Sequence, residues 1–253
     1  MSLITPIYPR ASAKIICTFI MTKLVALNPA YHKNFKIDTQ KLEAQGANER
    51  LIPVVITEFS KLVVQYPIAF TKSEETGAFI CVAVLGFEQK ENLFWENKVW
   101  DGIYTPLHVV RQPFFIGDEQ GKKIICIDEG AGSVSQDQGE PLFDDQGKET
   151  EYLQNIQKML AHLMEAETLT QDFIKTLLDG DLLVSMPLNI TFASGESQNV
   201  RGFYTIDEAK LDALEPEKLL NLQKKKYLAS AYMIIASTGH FYSLVERKNR
   251  RLV

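Results

Sequence analysis

The feature that most constrains this chain is an uninterrupted apolar run at residues 78–85. Ile68-Ala69-Phe70 precedes it, across the polar stretch 72–77. A short apolar run rich in β-branched residues and bounded by turn formers fits a central strand, and its neighbour makes the two a hairpin. The arrangement recurs. Phe114-Phe115-Ile116 and residues 123–127 flank a turn-rich stretch from Gly117 to Gly121, and residues 182–192 and 200–206 flank Ser194-Gly195. Leu24 to Leu27 reads as a further short strand, stopped by Asn28-Pro29.

Helical spacing appears between and after these pairs. Phe59, Leu62, Val63 and Tyr66 follow Thr57 as a cap, with Glu58 in the first turn, and Pro67 ends that helix. Tyr152, Ile156, Met159, Leu160, Leu163 and Met164 form one apolar face. Thr168 and Gln171 match a capping box, which predicts a second helix carrying Phe173, Leu177 and Leu178 and closed by Gly180. Asp207 caps a short helix, Pro216 opens another, and a last helix begins near Tyr227. Strands and helices therefore come in groups. The prediction is an α+β fold with a largely antiparallel sheet built from hairpins and helices concentrated in the C-terminal half. Residues 130–147 are rich in Gly, Ser, Gln and Asp and read as the most mobile internal loop and a possible subdomain break. Residues 21–253 are expected to form a single domain on one core, with residues 1–20 an upstream extension and Met21 the working start.

Charge and cysteine content narrow the function classes. The net charge is −5, from 32 acidic and 27 basic residues, which gives no general attraction to nucleic acid. The one dense basic cluster, Arg247, Lys248, Arg250 and Arg251, reads as a solvated, frayed end. Cys17, Cys81 and Cys126 each sit among apolar residues, with neither metal-ligand spacing nor enough partners for a disulfide framework. That usage predicts a reducing, cytoplasmic location and a soluble protein. No run approaches the roughly 18 apolar residues of a membrane span, so residues 227–237 read as a buried core helix. Arg10 and Lys14 precede an apolar stretch at 15–21 that is too short for a secretion signal and lacks a small-residue cleavage site.

Few residues point to chemistry. His108 and Arg111, three apart, share a face if their segment is helical, where they would hold an anionic group with His108 moving protons. A hydrogen-bonded histidine beside a paired arginine is the structural alternative. His32, His162 and His240 lack metal-site spacing, so neither metal nor cofactor is expected. Asp128, Glu129, Glu140, Asp144 and Asp145 rim the polar loop and read as solvated unless they converge. Gly130-Ala131-Gly132-Ser133 lacks the lysine of a phosphate loop, and no Gly-x-Ser-x-Gly elbow is present. Trp95, Trp100 and Tyr104, with Phe114 and Phe115, concentrate aromatics in residues 92–115. This is a candidate ligand pocket or protein interface, with core packing as its alternative.

Several phrases occur in an order that resembles the SapC family: Leu27-Asn28-Pro29-x-Tyr31-His32, Tyr66-Pro67-Ile68-Ala69-Phe70, Val84-Leu85-Gly86-Phe87, Trp100 through His108 to Arg111-Gln112-Pro113-Phe114, Ile127-Asp128-Glu129, Gly139-Glu140-Pro141-Leu142-Phe143 and Gly202-Phe203-Tyr204-Thr205-Ile206-Asp207-Glu208. The resemblance implies a bacterial protein from a family named for a surface-layer gene context, without an established catalytic mechanism. The expectation is a non-enzymatic binding or accessory protein of a cell-surface, S-layer or uptake system whose partner is another protein. The alternative is an enzyme acting on a small anionic or peptide-like substrate through His108 and Arg111.

Overall fold

The structure is a computed structural model, and it describes residues 5–6, 23–74 and 76–252. Apart from Thr5–Pro6, the expected extension and Cys17 lie outside the described residues. The apolar run at 78–85 is the inner strand Phe79–Val84 of a five-stranded antiparallel sheet. Ile68–Lys72 pairs on one side of it and Leu51–Pro53 on the other, and Tyr204–Ile206 and Leu183–Ser185 extend the sheet beyond Ile68–Lys72. Ile80, Cys81, Val82, Ala83 and Val84 are consecutive and all buried, so both faces of this strand are covered. That explains why its sequence is a continuous apolar run instead of an alternating one.

The second expected hairpin centres a four-stranded sheet. Phe114–Glu119 and Lys122–Asp128 pair antiparallel across Gln120 and Gly121, which adopt φ of 54° and 83°. Positive φ at both turn residues is the mirror-image turn that matches strand twist, and Gly121 supplies it without steric cost. Thr5–Pro6 and Leu24–Ala26 form the two edges of this sheet. The third expected hairpin has two tiers: Leu183–Ser185 pairs with Tyr204–Ile206, and Leu188–Thr191 pairs with Ser197–Val200. The antiparallel sheets and the long C-terminal helices make the α+β class plain.

Where two helices were expected across 152–180, the chain forms one helix of 29 residues, Glu151–Asp179. Thr150 Oγ1 caps it by accepting from Leu153 N at 3.3 Å. Thr168 caps nothing. Its hydroxyl donates to Met164 O at 3.2 Å, and Thr170 Oγ1 donates to Ala166 O at 2.7 Å. These back-bonds absorb the hydroxyls that the sequence pattern assigns to a cap. The helix joins two cores. Leu153, Ile156 and Leu160 pack with Ile37, Phe114 and Ile127 beside the four-stranded sheet. Phe173, Ile174 and Leu177 belong to the core of the five-stranded sheet, where Phe173 meets Phe59 and Phe70 at centroid distances of 6.1 and 6.3 Å.

Two polar segments differ from expectation. Within residues 130–147, Val134–Ser135 and Glu140–Pro141 both pair with Lys36–Ile37, and Ser133 O accepts from Asp38 N at 2.8 Å. Backbone pairing from a distant strand orders what composition alone marks as a loop. The basic cluster is a latch, not a frayed end. Arg247 pairs with Asp101 at 2.6 Å and lies over the Phe94 ring at 4.2 Å, Lys248 pairs with Glu88 and Glu91, and Arg251 donates to Asn92 O and Trp95 O. The stretch Tyr227–Leu252 is long and apolar enough, by length and composition, to cross a bilayer. Its apolar face is committed to the core through Ala231, Ile234, Phe241 and Leu244, and Ser237 Oγ accepts from Ile68 N at 2.9 Å.

Glu58 ties the layers together. Thr57 is not the cap: it lies with Glu58 inside a short 3-10 turn, Ile56–Glu58, whose N-cap is Val55 and which leads into the helical turn Phe59–Leu62. The Glu58 side chain is buried, with the whole residue 1% exposed. Its Oε1 accepts from Tyr104 Oη at 2.9 Å and from Leu107 N at 2.8 Å, while Oε2 accepts from Val55 N at 3.1 Å. Truncation leaves these donors without an acceptor in a buried place, each costing roughly 1–3 kcal/mol. Glu58→Ala is therefore expected to lower unfolding stability by about 3 kcal/mol or more, and Tyr104→Phe by about 1 kcal/mol, in urea titrations followed by circular dichroism. A loss under about 1 kcal/mol for Glu58→Ala contradicts this role.

Candidate functional site

The bond from Leu107 N to Glu58 fixes the start of a single helical turn, Leu107–Val110. That turn carries His108 on its inner side, and Arg111 caps its end. The expected three-residue pairing is present: Arg111 Nε donates to His108 Nδ1 at 3.3 Å. An arginine only donates, so Nδ1 accepts and the neutral ring carries its proton on Nε2. That Nε2 lies 3.5 Å from Glu167 Oε1 on the long helix. Burial, and next the Arg111 charge, hold the His108 pKa well below the ordinary imidazole value.

Glu167 is the residue that sequence reasoning missed. Its signal was legible: it falls on the stripe Leu160, Leu163, Glu167, Thr170, Ile174, where every other member is buried. Its side chain is 21% exposed, yet Oε1 is buried and has no hydrogen-bond partner among the described residues. Burial pushes its carboxyl up to about 7, with the Arg111 charge opposing. His108 and Glu167 face a cleft of about 350 Å³ at the middle of the long helix, between the two sheets. Val54, Val55, Ile80, Ile116 and Met164 give it apolar walls, with Lys123 and Gln171 adding polar groups. Cys81 also lines it, but burial pushes that thiol far above its ordinary pKa, so it is no nucleophile at neutral pH.

Arg111 does not line the cleft. Its Nη1 donates to Phe114 O at 2.8 Å and its guanidinium lies 4.3 Å from the Phe115 ring centroid, so it backs His108 from behind. Trp95 pairs with Trp100 across a two-residue turn, Asn97-Lys98, with φ of 51° and 64°. Trp100 is 5% exposed, and its indole N–H donates to Tyr66 Oη at 2.9 Å. Trp95 is half-buried against the core and Tyr104 is held by Glu58. Val99 and Ile103 are the large apolar side chains this segment exposes.

His32 is buried near a separate groove. Its Nε2 lies 3.0 Å from Glu129 Oε1, and Lys23 also pairs with that carboxylate. His162 lies 3.3 Å from Thr57 Oγ1, and His240 lies 2.8 Å from Val63 O. Asp144 caps the turn ahead of Lys148, and Glu140 and Asp145 are exposed. Among the described residues, no three His, Cys, Asp or Glu side chains converge on a common point.

The Glu167 carboxyl has a stability consequence. Its pKa is raised from 4.5 to about 7 in the folded chain. The stability it contributes is full below pH 4.5 and is lost as pH rises through about 7. His108, whose pKa is lowered, contributes the opposite slope below pH 6.5. The difference between wild type and Glu167→Gln isolates the carboxyl. That difference is expected to shift against wild type by about 3 kcal/mol between pH 4.5 and pH 7.5 in denaturant titrations, and a flat difference contradicts the raised pKa.

The SapC family model matches residues 27–244, a stretch that includes Asn28 to His32, the His108 turn and Glu167. No curated protein and no solved structure matches the chain. With most of its length matched, the chain belongs to the SapC family.

Proposed function

We propose that this is a non-enzymatic binding protein that holds a small, largely apolar ligand in the His108–Glu167 cleft and serves a bacterial cell-surface or uptake system. One observation carries the reading: the Glu167 carboxyl lies at the apolar cleft with no hydrogen bond formed to its Oε1 among the described residues, the His108 Nε2 donor standing off at 3.5 Å. A carboxyl held in an apolar place with few donors costs free energy, and a ligand donor that reaches the part of Glu167 exposed to the cleft offsets that cost. The apolar walls favour a hydrocarbon body, and about 350 Å³ suits a small molecule. The best head group is an amine or hydroxyl that donates to Glu167 while His108 stays neutral. The cell-surface setting rests on family membership alone.

A second reading has its own observation. A carboxyl drawn up to about 7 beside a neutral imidazole is the pairing that acid–base catalysis uses. That supports an enzyme acting on a small anionic or peptide-like substrate. In it Arg111 is a positioning residue for His108 and makes no substrate contact.

Thermal-shift titration with short n-alkylamines, n-alkanols and n-alkanoates at pH 8 tests the binding reading. Amines or alkanols are expected to raise the melting temperature, with little response to alkanoates. Glu167→Gln is expected to weaken amine binding at least tenfold, about 1.4 kcal/mol. No response from any series, or a response untouched by Glu167→Gln, contradicts it. Conversion of a bound compound, detected by mass spectrometry and lost in both His108→Gln and Glu167→Gln, favours the enzyme.

A further inference from the structure

The cleft between the two sheets carries charge at two separate places. Glu167 stands on its helix wall, with the side chain 21% exposed. Lys123 stands on its sheet wall. Strand register puts it there. In the hairpin Phe114–Glu119 and Lys122–Asp128, Ile127 stands opposite Phe114, Ile125 opposite Ile116 and Lys123 opposite Asp118. Side chains alternate between faces along a strand, so these residues share one face. Phe114 and Ile127 pack there with the long helix, and Ile116 and Ile125 are partly buried beside them. Lys123 is the next residue of that row, where the apolar face ends. Its side chain is 48% exposed, so the stem lies on the cleft wall and the ammonium reaches water.

Among the described residues the two charges do not pair with each other. Glu167 has His108 at 3.5 Å, and Lys123 has Asp118 Oδ2 at 3.5 Å. Asp118 has a task of its own. Its Oδ1 accepts from Gly121 N at 2.7 Å, which closes the hairpin turn without help from Lys123. A half-exposed ion pair contributes little, so Lys123 can exchange Asp118 for another anion at small cost. The other described residues lining the cleft are neutral at pH 8. Val54, Val55, Ile80 and Ile116 are apolar, burial keeps Cys81 protonated, and His108 is uncharged.

We propose that the cleft selects a ligand charged at both ends, an ω-amino acid, with its ammonium on Glu167, its methylenes on the apolar walls and its carboxylate on Lys123. This rests on the binding reading given above and names its ligand class. The chemistry sets close relatives apart. An n-alkylamine leaves Lys123 unanswered, and an n-alkanoate leaves Glu167 unanswered. A diamine sets a second cation against Lys123. An α-amino acid carries both charges at one end of its chain and so answers one wall only. Complementary charge at two fixed places acts largely by rejecting the wrong partner.

Isothermal titration calorimetry of the full chain at pH 8, where Glu167 is ionised, tests the proposal. The ligands are β-alanine, γ-aminobutyrate, δ-aminovalerate and ε-aminocaproate, each set against the n-alkylamine with the same number of methylenes. The best ω-amino acid is expected to bind about fivefold tighter than its amine at low salt, and the advantage to fade as salt is added. Lys123→Gln is expected to bring the two affinities together, and Lys123→Glu to turn the preference toward the diamine. Glu167→Gln is expected to weaken both series. The salt and chain-length dependence of the wild type decides the matter if a variant fails to fold. Amines that bind while no ω-amino acid binds tighter overturn the ligand class and leave the binding reading standing. An advantage that survives Lys123→Gln also overturns it. No binding by any amine overturns the binding reading itself, and this inference with it.

Discussion

A single buried carboxylate organises the region on which the candidate site depends. Glu58 gathers Val55 N, Leu107 N and Tyr104 Oη, three donors from separated parts of the chain. Burial raises its pKa above the ordinary carboxyl value, with the donors opposing that shift only in part. Such a group is held only where its acceptor positions are filled, which makes the arrangement specific to one geometry. Val55 forms part of the cleft wall and Leu107 begins the turn that carries His108. One side chain therefore fixes two walls of the cleft at once.

The long helix supplies the opposing wall. One half of it is buried beside each sheet, so its middle cannot shift without disturbing both cores. At that middle Thr170 Oγ1 accepts from Ile56 N at 2.9 Å, which ties the helix to the turn containing Glu58. Glu167 sits one helical turn earlier, on the stripe that faces inward, and is held off its ordinary pKa because little water reaches it. A polar group retained on an apolar stripe, with an oxygen unpaired, costs stability that the rest of the fold offsets. Departures of this kind concentrate at functional sites.

Much of the fold was legible because its signals are local. The hairpins follow from apolar runs separated by turn formers, and the positive φ at Gly121 is a conformation that glycine adopts freely. The offset of three between His108 and Arg111 anticipated their contact. What stayed hidden depends on residues far apart in sequence. Glu58 reads as an ordinary first-turn acid until Tyr104 and Leu107 are brought to it. Trp100 reads as a candidate binding residue until Tyr66 Oη is found on its indole nitrogen. The basic C-terminal cluster reads as solvated until the 88–101 segment supplies its acceptors. The long helix was divided in two because Thr168 and Gln171 imitate a cap that the continuing backbone has no use for.

The central claim is that Glu58 and the long helix place His108 against a Glu167 carboxyl in a cleft poor in water. Carbon-13 NMR of the glutamate side-chain carboxyls, with Glu167 assigned by comparison with Glu167→Gln, reads that environment directly. Glu167 is expected to titrate with a midpoint of about 7. A midpoint at the ordinary 4.5 would place the carboxylate in bulk water and contradict both the cleft and the function proposed for it.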